Sequence, residues 1–204
     1  MISSDFHIEL QSTLVIDASV AINLNGTNSA EKIISALPYS LAITQNASDE
    51  LAHGRRNGHI DSQLLEELIK REIVARVELG KQGLEIYEEL IDGDASNTLD
   101  DGEAATIAYA IETGGVAVID EKKARKICKN LFPRLTVLST VDLLLDNFVC
   151  KALGRLEQAD SIHRALIAAR MRVPNEKLSA IVSIIGEARA AGCPSLPIYA
   201  KMIK

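Results

Sequence analysis

Aromatic side chains are scarce in this chain, only 3% of its residues, so a surface that holds nucleic acid mainly by stacking bases on Phe or Tyr is not expected. Cysteine is rare too. Cys128, Cys150 and Cys193 are odd in number, dispersed and without paired spacing, which argues against a disulfide framework or a cysteine zinc site and favours buried reduced thiols. No run approaches the roughly 20 apolar residues that cross a bilayer. The start of the sequence, with Asp5, His7 and Glu9, lacks the basic and apolar parts of a signal peptide. A cytoplasmic protein with no membrane partner is the expectation. Positive charge is also short: 22 Lys and Arg against 28 Asp and Glu leave a formal net charge of -6. That balance argues against a broad electrostatic grip on phosphates, so any nucleic acid must be met locally.

What is present suits a globular protein. The 204 residues, 47% hydrophobic and 25% charged, suffice for one compact domain with a helical appendage, and they contain no internal repeat. Short apolar runs rich in β-branched residues predict strands at Thr13 to Ile16, Leu41 to Thr44, Val116 to Ile119 and Leu135 to Leu138. Helical spacing fills the intervals, as in Ala30, Ile33, Ile34 and Leu37, then Leu64, Leu65, Leu68 and Ile69. Glu66 to Leu99 reads as helical by composition, with Gly80, Gly83 and Gly93 as interruptions. The clearest helix starts at Asp100 or Asp101, carries Ala104, Ile107, Ala108 and Ile111 inward, and stops at Gly114-Gly115. Another holds Ala124, Ile127, Cys128 and Leu131 and breaks at Pro133, and Ser139 or Thr140 caps the next. Strands alternating with helices imply an α/β fold with a parallel sheet. This sheet domain is expected over residues 1–150. Residues 151–204 are expected to add a helical hairpin, with one stripe at Ile162, Leu166 and Ala169 and a second from Leu178 to Ala188, capped by Asn175 and stopped by Gly192 and Pro194.

Asp17 and Asp120 each follow an apolar strand, in Leu14-Val15-Ile16-Asp17 and Val116-Ala117-Val118-Ile119-Asp120. Functional groups of parallel sheets gather outside the carboxyl ends of the strands. Either residue alone can be a turn residue or a helix cap. Two carboxylates from neighbouring strands, however, raise each other's pKa unless a cation joins them. Glu103 stands in the first turn of the Asp100 helix, where a carboxylate also gains roughly 0.3 to 1 kcal/mol from the helix dipole. The crowding of Asp100, Asp101 and Glu103 favours a bound divalent ion over that alone. Glu50 opens a fourth position after the strand Leu41 to Thr44. Ligands rich in oxygen and free of sulfur suit Mg2+ or Mn2+ better than zinc.

These motifs, in this order, resemble the PIN-domain ribonucleases, including toxins of the VapC type. The resemblance rests on Asp17, on Glu50-Leu51, on the Leu-Asp-x-Gly-Glu-Ala run from Leu99 to Ala104, and on Ile119-Asp120 followed by Lys122, Lys123 and Arg125. It covers roughly Thr13 to Phe148. It implies a three-layer α/β/α domain, one or two magnesium or manganese ions, and hydrolysis of RNA. It places Asp17, Glu50, Glu103 and Asp120 in the catalytic cluster, with Asp17, Glu103 and Asp120 on the metal. Asp49 can stand in for Glu50, Asp100 can share with Glu103, and Glu121 can assist Asp120. The likeness further implies an RNA substrate, an antitoxin partner and a homodimer.

Lys122, Lys123, Arg125, Lys126, Lys129 and Arg134 crowd the helix after Asp120, and Arg55 and Arg56 follow Glu50. Each group is a candidate for phosphate contact and equally a solvated surface. His53 and His59 flank the arginine pair and are read as turn histidines rather than proton carriers. Ser19 and Thr44 can bind an ion's waters or cap helices. Two rivals remain. A phosphatase with a nucleophilic Asp17 needs a second Asp where Ser19 stands; an inactive PIN-like module that binds RNA or protein needs no intact acid cluster.

Overall fold

The computed structural model describes residues 12–53, 58–92 and 98–198, so Arg55, Arg56 and Gly93 lie outside the described residues. Two compact units make up the chain. The first runs through Ala21 and resumes from Pro38 to Leu138. It holds a sheet of five parallel strands: β1 (Thr13–Ile16), β2 (Ser40–Thr44), β3 (Val74–Val77), β4 (Val116–Val118) and β5 (Val137–Leu138), in the order β3-β2-β1-β4-β5. Helix α1 (Ala18–Gly26) follows β1 and leads to α2 (Ala30–Ala36). Between the later strands lie α3 (Gln45–His53), α4 (Gly58–Lys70), α5 (Lys81–Ile91), α6 (Asp101–Thr113) and α7 (Lys122–Leu131).

The central strands are legible because both their faces are buried. Leu14, Val15 and Ile16 of β1 and Val116, Ala117 and Val118 of β4 are all shielded from solvent, as a parallel sheet covered by helices requires. Helix α6 lies over this sheet on small residues, Ala104, Ala105 and Ala108, that let its backbone come close, while Ile107 fills the core they leave. Each large side chain fully buried there contributes roughly 1.5–3 kcal/mol. The ends of α6 are those expected. Asp100 caps it by accepting the Glu103 N–H at 2.9 Å, and Gly114 ends it at φ +66°, a conformation that costs glycine nothing.

Strand β3 corrects the reading of Glu66 to Leu99 as helical with breaks only at Gly80, Gly83 and Gly93. Helix α4 ends at Lys70, Glu72 turns the chain at φ +57°, and Val74–Val77 pairs with β2. Only Val74 of that strand is buried, while Arg76, on this sheet edge, reaches Glu66. An edge strand with one buried residue leaves no apolar run to read. Gly80 precedes α5, but Gly83 lies inside it, buried against Glu112, and does not interrupt it.

The second unit comprises Ile22–Leu37 and the residues from Ser139 onward. It contains α8 (Thr140–Leu144), α9 (Asn147–Ala168), a 3-10 turn at Asn175–Lys177, α10 (Leu178–Ile185) and α11 (Glu187–Gly192). Ser139 caps α8 in a reciprocal capping box with Asp142, whose other oxygen meets Lys177 at 2.9 Å. Helices α2 and α10 both pack on α9, which kinks at Gly154. The expected single stripe from Leu178 to Ala188 is cut at Gly186, where φ reaches +86°, and Asn175 opens the 3-10 turn rather than capping α10. Among the described residues no helix is long and apolar enough to cross a membrane.

Candidate active site

Strand β1 pairs with β2 on one side and β4 on the other, so the strand order reverses beside it. The crevice outside the carboxyl ends of the strands at such a switch point is where α/β sheets place their chemistry. Asp17 leaves β1 there, with its backbone N–H donating to the Val118 carbonyl of β4 at 3.2 Å. Asp120 leaves β4 two residues after its end and is half-buried. Helices α3 and α6, which pack together, carry Glu50 and Glu103.

The Asp17 carboxylate is only 4% exposed, and its two oxygens differ. Oδ2 accepts the Ser19 hydroxyl at 2.7 Å and the Ser19 N–H at 3.2 Å, whereas Oδ1 is buried with no hydrogen-bond partner. A buried carboxylate oxygen without a donor costs free energy that a cation would recover. Ser19 thus orients Asp17, a role distinct from binding an ion's waters or capping a helix. Thr44 takes the capping role, its hydroxyl accepting the Ala47 N–H at 3.3 Å at the start of α3.

Gly102 lies between two of the acids. A Cβ built there would stand 3.4 Å from Asp17 Oδ1 and would collide with Glu50 Oε2, and the Gly102 N–H donates to the Glu50 carboxylate. The missing side chain is what lets Glu50 approach Asp17. Glu103, one residue on, is buried at 6% exposure. In the sequence Gly102 is visible only as part of the Gly-Glu-Ala run; its signal is a glycine inside the first turn of an alanine-rich helix, where helix propensity disfavours it.

These acids repel one another, and the repulsion shows in their pKa values. Loss of solvent, and then Asp100 and Asp17, push Glu103 up to about 8. Glu50 is exposed as a residue, yet partial desolvation of its carboxylate, and then Asp100, Asp17 and Asp101, push it up to about 7. Burial raises Asp17 despite the Ser19 bonds. Glu121, which precedes α7, adds to the repulsion on Glu103, while Asp100 is engaged as the α6 cap. Asp49 accepts instead from Gln45 at 2.8 Å on the exposed side of α3. Among the described residues, no three Asp, Glu, His or Cys side chains already stand together as a metal cage. The donor set nevertheless fits a hard divalent cation: it is all carboxylate, mutually repelling, and includes an orphaned buried oxygen.

The basic helix divides into two kinds of residue. Lys123 donates to the Thr98 carbonyl at 2.6 Å, and half-buried Arg125 donates to the Ile119 carbonyl at 3.1 Å, bracing the turn that carries Asp120. Lys122, Lys126 and Lys129 share one exposed face at helical spacing, opposite buried Ala124, Ile127 and Cys128. Arg134 lines a cavity of about 650 Å³ with Gly115, Val116 and Thr136, at the opposite end of the strands from Asp17. His53 sits exposed with Nδ1 2.6 Å from the Asp49 carbonyl.

A family model described as a PIN domain matches residues 13–187, most of the chain. The chain belongs to the PIN-domain family. A PIN domain of this kind carries the nuclease type of fold, and the match runs on through α9 and α10. No curated protein matches the chain.

Proposed function

We propose that this PIN domain is a metal-dependent endoribonuclease in which Asp17, Glu103 and Asp120 hold Mg2+ or Mn2+ and Glu50 completes the acidic pocket. The observation that carries this reading is the buried, unpartnered Asp17 Oδ1, in a pocket whose neighbours Glu50 and Glu103 are raised to about 7 and about 8. Three carboxylates with raised pKa values at one strand-end crevice favour a cation as their partner. When bound, the ion supplies an acidified water and a counter-charge for the phosphate.

The remaining work falls to the chain. Ser19 fixes the orientation of Asp17, the Gly102 N–H steers Glu50, and Asp100 fixes the first turn that presents Glu103. Arg125 braces the Ile119 carbonyl and with it the turn to Asp120. Lys122, on the exposed face of α7, is positioned for substrate phosphate, and Lys126 and Lys129 extend the same face. Lys123 and Arg125 reach phosphate only by leaving their carbonyl partners, and Arg55 lies outside the described residues. The finer form of the reading is a cytoplasmic toxin that acts as a homodimer and is silenced by an antitoxin; its support is family likeness alone. Incubating single-stranded RNA with the protein in EDTA, then with excess manganese, tests the reading. Cleavage restored by the metal supports it, and intact RNA in both cases favours the inactive binding module.

A further inference from the structure

Three helices meet on one exposed carboxylate beside the pocket. Asp101, the first residue of α6, accepts the Tyr87 hydroxyl from α5 at Oδ1 and the Asn46 amide from α3 at 3.2 and 3.3 Å. Tyr87 is anchored, because its ring packs against the core cluster that includes Leu90, Leu99 and Ile107. Asn46 lies one helical turn before Glu50, and Asp101 directly precedes Gly102 and Glu103. A carboxylate in the first turn of a helix is ordinarily explained by the helix dipole. That explanation does not account for two donors, from two other helices, converging on this one.

The geometry points to Tyr87, Asp101 and Asn46 as a positioning hub that ties α3 and α5 to the start of α6 and so sets the spacing between Glu50 and Glu103. The inference rests on the metal-dependent nuclease reading. With both oxygens engaged, Asp101 serves as an anchor for the acids on either side rather than as one of the metal's ligands. Groups that hold a metal's carboxylates in place typically govern affinity about 10- to 100-fold without touching the ion. Tyr87→Phe removes one oxygen and keeps the ring, so the core that the ring supports is retained.

The test is a calorimetric manganese titration of the wild type, Tyr87→Phe, Asp101→Asn and Asp101→Ala, with thermal melts and steady-state RNA cleavage on the same samples. The expected result is a manganese affinity about 10-fold weaker in Tyr87→Phe, with the melting temperature held and kcat reduced more than KM rises. Asp101→Ala should lose as much or more, and Asp101→Asn, which keeps one acceptor for Tyr87, should recover part of it. Unchanged affinity and kcat in Tyr87→Phe would overturn the hub. So would a Tyr87→Phe protein that behaves as wild type while both Asp101 variants fail equally, since the charge of Asp101 would then act by itself. Wild-type protein that ignores manganese overturns the nuclease reading itself, an outcome the first titration alone distinguishes.

Discussion

The carboxylate of Glu50 occupies the space where a side chain at Gly102 would begin. Gly102→Ala therefore displaces Glu50 and crowds the Ala47 Cα, 3.3 Å from the new methyl. Because Gly102 lies in helical conformation, alanine favours α6 intrinsically, by roughly 1 kcal/mol, so the fold should persist while the pocket is damaged. The expected outcome is a melting temperature near wild type with manganese affinity and RNA cleavage each lowered about 10-fold or more. Calorimetry and a gel assay check it.

Asp17→Asn separates function from stability. The amide oxygen can still accept from Ser19, but the buried charge is gone. In metal-free protein near pH 8 the variant should be more stable than wild type by roughly 1 kcal/mol, the usual gain when a site strained for function is relaxed, while cleavage is abolished. Urea unfolding in EDTA measures the gain, and a loss of stability would contradict it.

The pH dependence of stability follows from the raised carboxylates. Glu50 at about 7 and Glu103 at about 8 hold their protons more tightly folded than unfolded. Their contribution is fully present below the ordinary glutamate pKa and is lost as pH rises through 7 and 8. Melting temperature in EDTA should fall between pH 5 and pH 8.5, and saturating manganese should flatten that fall because it binds the ionised form. A metal-free protein that grows more stable over that range would contradict the pocket's electrostatics.

The basic face of α7 gives a salt-dependent prediction. Replacing Lys122, Lys126 and Lys129 by alanine should weaken binding of single-stranded RNA in calcium, without cleavage, and should flatten its dependence on salt. Each lysine that meets a phosphate contributes about 0.7 to the slope of log affinity against log salt. Lys123→Ala, whose side chain is spent on the Thr98 carbonyl, should change that slope less. Fluorescence anisotropy across a salt series reads both.

Much of this was legible in the sequence where one physical signal acted alone. β1, β2 and β4 announced themselves as buried β-branched runs, and α6 by its Asp100 cap, alanine-rich face and Gly114 stop. β3 was hidden because an edge strand buries one residue and spends Arg76 on a salt bridge. Gly186 broke the Leu178 to Ala188 stripe although the apolar spacing ran straight through it. Within the site, spacing marked Asp17, Glu50, Glu103 and Asp120 as candidates. It did not reveal that Ser19 would engage one oxygen of Asp17 and leave the other bare, or that Tyr87 would reach Asp101 from α5. Those relations join residues on different elements, and only the packed chain sets them.

The central claim is that the orphaned Asp17 oxygen and its neighbouring acids form a seat for a divalent ion. The measurement that tests it most directly is manganese binding to metal-stripped protein, by calorimetry at pH 7.5, for wild type and for Asp17→Asn combined with Asp120→Asn. Saturable binding in the wild type, accompanied by proton release and lost in the double variant, is the predicted result. Wild-type protein that takes up no manganese, or a double variant that binds it unchanged, would contradict the claim.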